Sequence, residues 1–197
     1  MNRGIVLRSH LAHSAKLIIF DELQGKITAY SRAGDKPLRA PCGALLTYNY
    51  VLWRDMMMLE CVEIKQMPCI TAHGNAEQGL SLQFIHQVLE LLAAFMPLCL
   101  PVPELFSKIF MLYTEQAEEI SATQFRQHLF LCRMLAALGI YPEESTYLRS
   151  HVVRCLILSP FEFMVDHEDT SIHNALESWL KQCLVTHPTV SAWKTLK

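Results

Sequence analysis

A chain of 197 residues, 51% of them hydrophobic and only 18% charged, carries enough apolar surface to fill a core, which excludes a disordered or low-complexity polymer. Seventeen Lys and Arg against nineteen Asp and Glu give a net charge of −2, which excludes a strongly basic nucleic-acid coat protein. The low charged fraction suggests a well-filled core and a surface that a partner partly covers.

The start, Met1–Leu11, holds Arg3, Arg8 and His10 without an apolar run, so no secretory signal is expected. Gly4–Arg8 and Lys16–Phe20 are short runs rich in β-branched residues and read as strands, with Asp21–Gly25 as the turn that follows. Lys26–Arg32 alternates: Lys26, Thr28, Tyr30 and Arg32 face one way, Ile27 and Ala29 the other. A loop spans residues 33–43. Leu45–Trp53 and Met56–Lys65 make two further strands, joined by a tight turn at Arg54-Asp55. Five short antiparallel strands in this length fit a small closed barrel, which removes exposed edges. Strands four and five are apolar on both faces, so their outward side is expected to pack on the helices. Tyr48, Tyr50 and Trp53 are then packing residues. Met56, Met57 and Met58 point to alternate faces and read as adaptable packing.

Residues 67–79, with Pro68, Gly74 and Gly79, read as a linker, and from Leu80 the period becomes helical. Leu82, Ile85, Leu89, Leu92 and Phe95 form one stripe that Pro97 stops. Pro103 opens a second helix. Ser121 is the expected N-cap of a third, with Gly139 as its stop. Glu143–Leu158 and Ser171–Thr186 complete five helices. The expected organisation is an α+β chain: a barrel over 1–66, the linker, and an all-α domain over 80–197. Val88–Val102, the longest apolar stretch, is broken by Glu90, Pro97 and Pro101 and is too short for a membrane span. Charge divides in the same way. Residues 1–65 hold nine basic and six acidic residues, and the remainder eight and thirteen, so the two parts carry +3 and −5.

Seven cysteines at 42, 61, 69, 99, 132, 155 and 183 include no CxxC pair, which suits reduced thiols in a cytoplasmic protein. Cys69 with His73 and His151 with Cys155 are spaced for one helix face, yet two ligands make no site, and neither metal nor cofactor is expected. No phosphate loop, HExxH or nucleophile elbow is present, and Glu118-Glu119 and Glu143-Glu144 fall where helix dipoles favour carboxylates, so no enzyme is expected.

Three segments in order, Gly4-Ile-Val-Leu-Arg8, Lys16-Leu-Ile-Ile-Phe20 and Gly25-Lys-Ile-Thr-Ala-Tyr30, resemble the opening of the bacterial recombination mediator RecO family. Cys42-Gly-Ala-Leu-Leu-Thr-Tyr48 is similar to a further segment of that family, and Phe125–Gly139 with Ile140-Tyr-Pro142 to its helical "F…rLL..lGy.P" stretch. The resemblance implies an N-terminal OB-fold and a non-enzymatic DNA repair and recombination mediator. Such a protein binds single- and double-stranded DNA, anneals strands, and loads recombinase with RecR onto DNA coated by single-strand-binding protein. The four-cysteine zinc site of many members has no counterpart, because 141–160 contains Cys155 alone. The chain is also shorter and less basic than that family.

Single-strand binding needs cations at phosphate spacing and an aromatic ring for stacking. Lys26, Tyr30 and Arg32 supply these on one expected strand face, with Arg8 and Lys16 on neighbouring strands and Lys36 and Arg39 in the adjacent loop. Tyr30 has a plainer reading too, as a ring buried in a small barrel with its hydroxyl at the rim. The rival to a DNA-binding mediator is a protein–protein adaptor that keeps the fold with little DNA affinity.

Overall fold

A computed structural model describes residues 1–10, 16–31, 40–68, 82–114, 123–142, 151–159 and 169–185. Strands β1 (Asn2–His10), β2 (Lys16–Asp21), β3 (Gly25–Ser31), β4 (Leu45–Trp53) and β5 (Met56–Gln66) close into a barrel in the order β1-β2-β3-β5-β4. All neighbours are antiparallel except β3 and β5, which run parallel. This is an OB-fold barrel. Five helices follow among the described residues: α1 (Leu82–Phe95), α2 (Pro103–Phe110, continued by a 3-10 turn at Met111–Tyr113), α3 (Gln124–Ala137), α4 (His151–Leu158) and α5 (Thr170–Val185). The expected linker lies mostly outside the described residues, as do the expected cap Ser121 and residues 143–150; Thr123 caps α3 by accepting from the Arg126 amide. Gly139, at φ 74°, ends α3, and the amides of Gly139 and Ile140 bond the carbonyls of Ala136 and Leu135.

Alternation along the strands divides the apolar residues between two cores. Val6, Leu17, Ile19, Ile27, Ala29, Leu46, Tyr48 and Leu59 fill the barrel. Ile5, Leu7, Phe20 and Leu45 point outward and join the helical core. Ile5, Val6 and Leu7 alternate regularly, and a bulge then interrupts β1 before Arg8. Val6 pairs with Ile19 and Arg8 with Ile18, so Leu7 is an extra residue opposite one step of β2. Phe20, fully buried, meets Phe106 of α2 edge-on with ring centroids 5.2 Å apart. Polar ties add direction: Tyr113 Oη donates to the Gly43 carbonyl at 2.6 Å, and Lys26 Nζ donates to the Ala93 carbonyl of α1 at 3.0 Å.

The helices therefore cover one part of the outward face, at Ile5 and Leu7 of β1, Phe20 of β2 and Lys26 of β3. The expectation that strands four and five turn their outward side to the helices is corrected. Only Leu45 at the start of β4 reaches the helical core, whereas Leu52 and Trp53 are 71% and 51% exposed. The cause is topological. β4 pairs with β1 only from Leu45 to Tyr48, and beyond that the β4–β5 hairpin runs on past the barrel end.

Two buried features give tests of this packing. Gly25, at φ 76°, lies so close to the segment after α1 that a Cβ there would sit 1.9 Å from the Leu100 carbonyl oxygen; at Gly139, with a similar φ, a Cβ would meet nothing within 4 Å. Gly139→Ala should cost about 1 kcal/mol, the left-handed penalty alone. Gly25→Ala should cost at least about 2 kcal/mol more by denaturant unfolding, since two backbones must separate. In the helical unit, His128 Nδ1 lies 3.2 Å from His173 Nε2, between α3 and α5. Burial first, and the neighbouring His173 second, push the His128 pKa down to about 4. Above the ordinary value near 6.5 both folded and unfolded chains hold this ring neutral; as pH falls from there to about 4, only the unfolded chain takes the proton. Stability should fall over that window by on the order of 3 kcal/mol, and His128→Gln should flatten the fall in melts at stepped pH.

Candidate nucleic-acid interface

Pairing across the barrel converts the strand alternation into rows on its outer surface. One row runs Lys16 (β2), Tyr30 (β3), Met58 (β5) and Val51 (β4), each residue the register partner of the next. The row beside it begins Arg8, Ile18, Thr28. On the same side of the β4–β5 hairpin, Met56 and its partner Trp53 each lie two residues from Met58 and Val51. The third row is Ile5, Phe20 and Lys26, and the helices cover it.

Arg8 owes its outward direction to the bulge. Simple alternation from Val6 would aim it into the barrel, where a guanidinium would find no water. With Leu7 taking up the extra position, Arg8 pairs with Ile18 and is exposed. Lys16 and Tyr30 are direct partners and both are half-buried. Their opposite-face neighbours Ile27 and Ala29 are buried in the barrel, as the alternation requires.

Lys26 shares that outward side but is turned to a different task. Its ammonium is hydrogen-bonded to the Ala93 carbonyl, its own carbonyl accepts from the Cys99 amide at 2.9 Å, and its backbone bridges to Leu98. Burial, with the charge of Arg8 second, lowers its pKa from the ordinary lysine value. Lys26 belongs to the seam between barrel and helices. Other cations are engaged likewise: Arg3 pairs with Glu22 and lies 5.4 Å from the Phe110 ring, and Lys65 pairs with Glu63. Arg32, Lys36 and Arg39 lie outside the described residues.

The structure adds two residues that the sequence reading assigned to packing or to a turn. Trp53 ends β4 with half its surface exposed, and the Arg54 guanidinium lies 4.6 Å from its ring centroid. Arg54 and Asp55 both have positive φ, 48° and 61°, the backbone of a two-residue turn that matches strand twist. A strand-final aromatic directly before such a turn was the available signal, because a hairpin tip of this kind projects from its sheet. Of the other aromatics expected to pack, Tyr48 is fully buried, donating to the Asp21 carboxylate, and Tyr50 is half-buried and accepts from Gln24 Nε2 at 2.9 Å. Glu60, opposite Asn49, bounds the face with negative charge.

Among the described residues no group of three or more His, Cys, Asp or Glu could hold a metal ion. Cys69 and His73 lie outside them, and so does the side chain of His151. No described helix is long and apolar enough to cross a membrane. No family model matches the chain, and no curated protein matches it in sequence.

The division between seam and surface predicts opposite behaviour for two lysines of neighbouring strands. Lys26→Ala should lower stability by about 1 kcal/mol by removing the bond to Ala93 and leave any salt dependence of oligonucleotide binding unchanged. Lys16→Ala should leave the melting temperature within about 2 °C and reduce that dependence, read by anisotropy at stepped salt.

Proposed function

We propose that the chain is a non-enzymatic, cytoplasmic DNA-binding protein that acts as a repair and recombination mediator of the kind the RecO-like segments imply. In this reading the barrel holds single- or double-stranded DNA on its outer β1–β2–β3 face. The helical unit braces the barrel and presents a surface to a RecR-type partner and to single-strand-binding protein. One observation carries the nucleic-acid part. Arg8, Lys16 and Tyr30 stand on three adjacent strands of one outward barrel face, two cations beside an aromatic ring. Cations there neutralise phosphates and release counterions, and the ring offers a π surface to an unpaired base. The strands 2–3 face is also where OB-folds hold oligonucleotides.

A second reading, the protein–protein adaptor, draws on a different observation. Val51, Leu52 and Trp53 are exposed on a stretch of β4 that β1 does not pair, an apolar strand edge of the type that accepts another strand. The −5 charge of residues 66–197 adds to it. Salt separates the readings. A labelled single-stranded oligonucleotide titrated at several salt concentrations should bind the intact chain with a steep log–log slope. Arg8→Ala and Lys16→Ala should each make that slope shallower by about 0.7, since each removes the cation that neutralises one phosphate. Absence of salt-dependent binding by the intact chain would transfer the assignment to the adaptor.

A further inference from the structure

We infer that the open edge of β4, Asn49–Trp53, is a two-fold interface at which a second copy of this chain adds its own β4 antiparallel to the first. This goes beyond the two readings above, which leave the occupant of the edge unnamed, and it needs neither of them. Among the described residues β1 covers β4 only from Leu45 to Tyr48, so one side of Asn49–Trp53 has no strand beside it. On the other side these five residues pair consecutively with Glu60, Leu59, Met58, Met57 and Met56, with no bulge to twist the edge away. Neither Lys nor Pro, the residues that ordinarily block such an edge, stands in the segment. Val51, Leu52 and Trp53 are instead 41%, 71% and 51% exposed, an apolar surface on both faces of the strand.

Three features select a second copy over a foreign strand. The first is length. A two-fold axis through Val51 sets it opposite Val51 of the second copy, with Tyr50 opposite that copy's Leu52 and Asn49 opposite its Trp53. That register uses the whole open segment and stops where β1 takes over at Tyr48, so neither chain meets the other's β1. The second is cover. On the outer side the two valines meet at the axis and each indole lies beside a short Asn; on the other side each Leu52 meets a Tyr50. Every exposed apolar residue of the edge gains a cross-strand neighbour. The third is charge. Glu60 is the register partner of Asn49, so Trp53 of one copy falls in line with Asn49 and Glu60 of the other. Two strand spacings, about 10 Å, separate the ends of that line. The Arg54 guanidinium, held 4.6 Å from the Trp53 ring centroid, is then within reach of the second copy's Glu60, and symmetry forms this pair twice. A foreign strand would have to supply that carboxylate, whereas a second copy brings it in the same register that covers Trp53. The row Lys16–Tyr30–Met58–Val51 continues through the axis into its own copy, which joins the outer faces of two barrels in one sheet. A five-residue ladder buries less than about 1,200 Å², the class of weak, concentration-dependent association.

The test is sedimentation equilibrium of the full chain over a range of concentrations. Wild-type mass should rise from one chain to two and no further, because a two-fold contact closes on itself. Val51→Lys, which sets two like charges at the axis, should weaken the association at least about tenfold. Glu60→Arg should weaken it as well, and Arg54→Glu added to that variant should recover it. Val51→Cys under mild oxidation should yield a peptide crosslinked through the position-51 thiols, since directly opposed Cα atoms lie about 4.5–5.5 Å apart. That measurement stands should Val51→Lys fail to fold. A mass of one chain at every concentration up to about 1 mM overturns the inference and leaves the edge to a foreign strand. A wild-type dimer that Val51→Lys leaves intact, or that crosslinks only through other thiols, overturns it too and moves the contact to another face.

Discussion

The extra residue in β1 is the constraint on which the outer face of the barrel depends. A regular strand presents one face to the barrel and one to the outside, with strict alternation. Ile5, Val6 and Leu7 keep that alternation, Val6 filling the barrel and the other two serving the helical core; the extra residue then breaks it once, so Arg8 emerges on the outer surface. A slipped register here would reverse the aim of every later residue in the strand. One position thus decides the placement of a cation beside the row that the helices cover.

Docking of the helices then sorts the basic side chains of residues 1–65. Those in the covered row are drawn into structural bonds, as with Lys26 and the Ala93 carbonyl, where desolvation makes a charge costly unless it is paired with an acceptor. Those one or two rows away keep contact with solvent. The overall −2 charge is therefore a poor guide to the local field. The outer barrel face carries Arg8 and Lys16 beside the covered row, while residues 66–197 carry −5.

Much of this was legible in the sequence because it depends on local pattern. The alternation of Ile27 and Ala29 against Thr28 and Tyr30 is a two-residue period, and it sets which side of β3 is outward. Gly139 and Pro103 mark helix ends through backbone geometry alone, and both do so in the structure. What alternation could not reveal was how far each strand pairs. Leu45 and Leu52 are chemically alike, yet Leu45 is buried under the helices and Leu52 is exposed, because β1 runs out opposite Tyr48. The exposure of Trp53 and the engagement of Lys26 are likewise results of tertiary pairing. Each is set by residues distant in the chain, the one by β1 and the other by α1, and no window around either residue contains that information.

The backbone bridge between Lys26 and Leu98 has a consequence for how the chain is made. β3 pairs with β5 from Ala29 onward, so its edge at Lys26 is completed by a segment that follows α1. During synthesis, the barrel strands emerge from the ribosome well before that segment does. For that interval a nascent barrel exposes an unpaired strand edge beside the apolar row of Ile5 and Phe20, the combination most prone to intermolecular pairing. The dependence of this chain on chaperones should therefore last until the segment after α1 has left the ribosome and paired with Lys26.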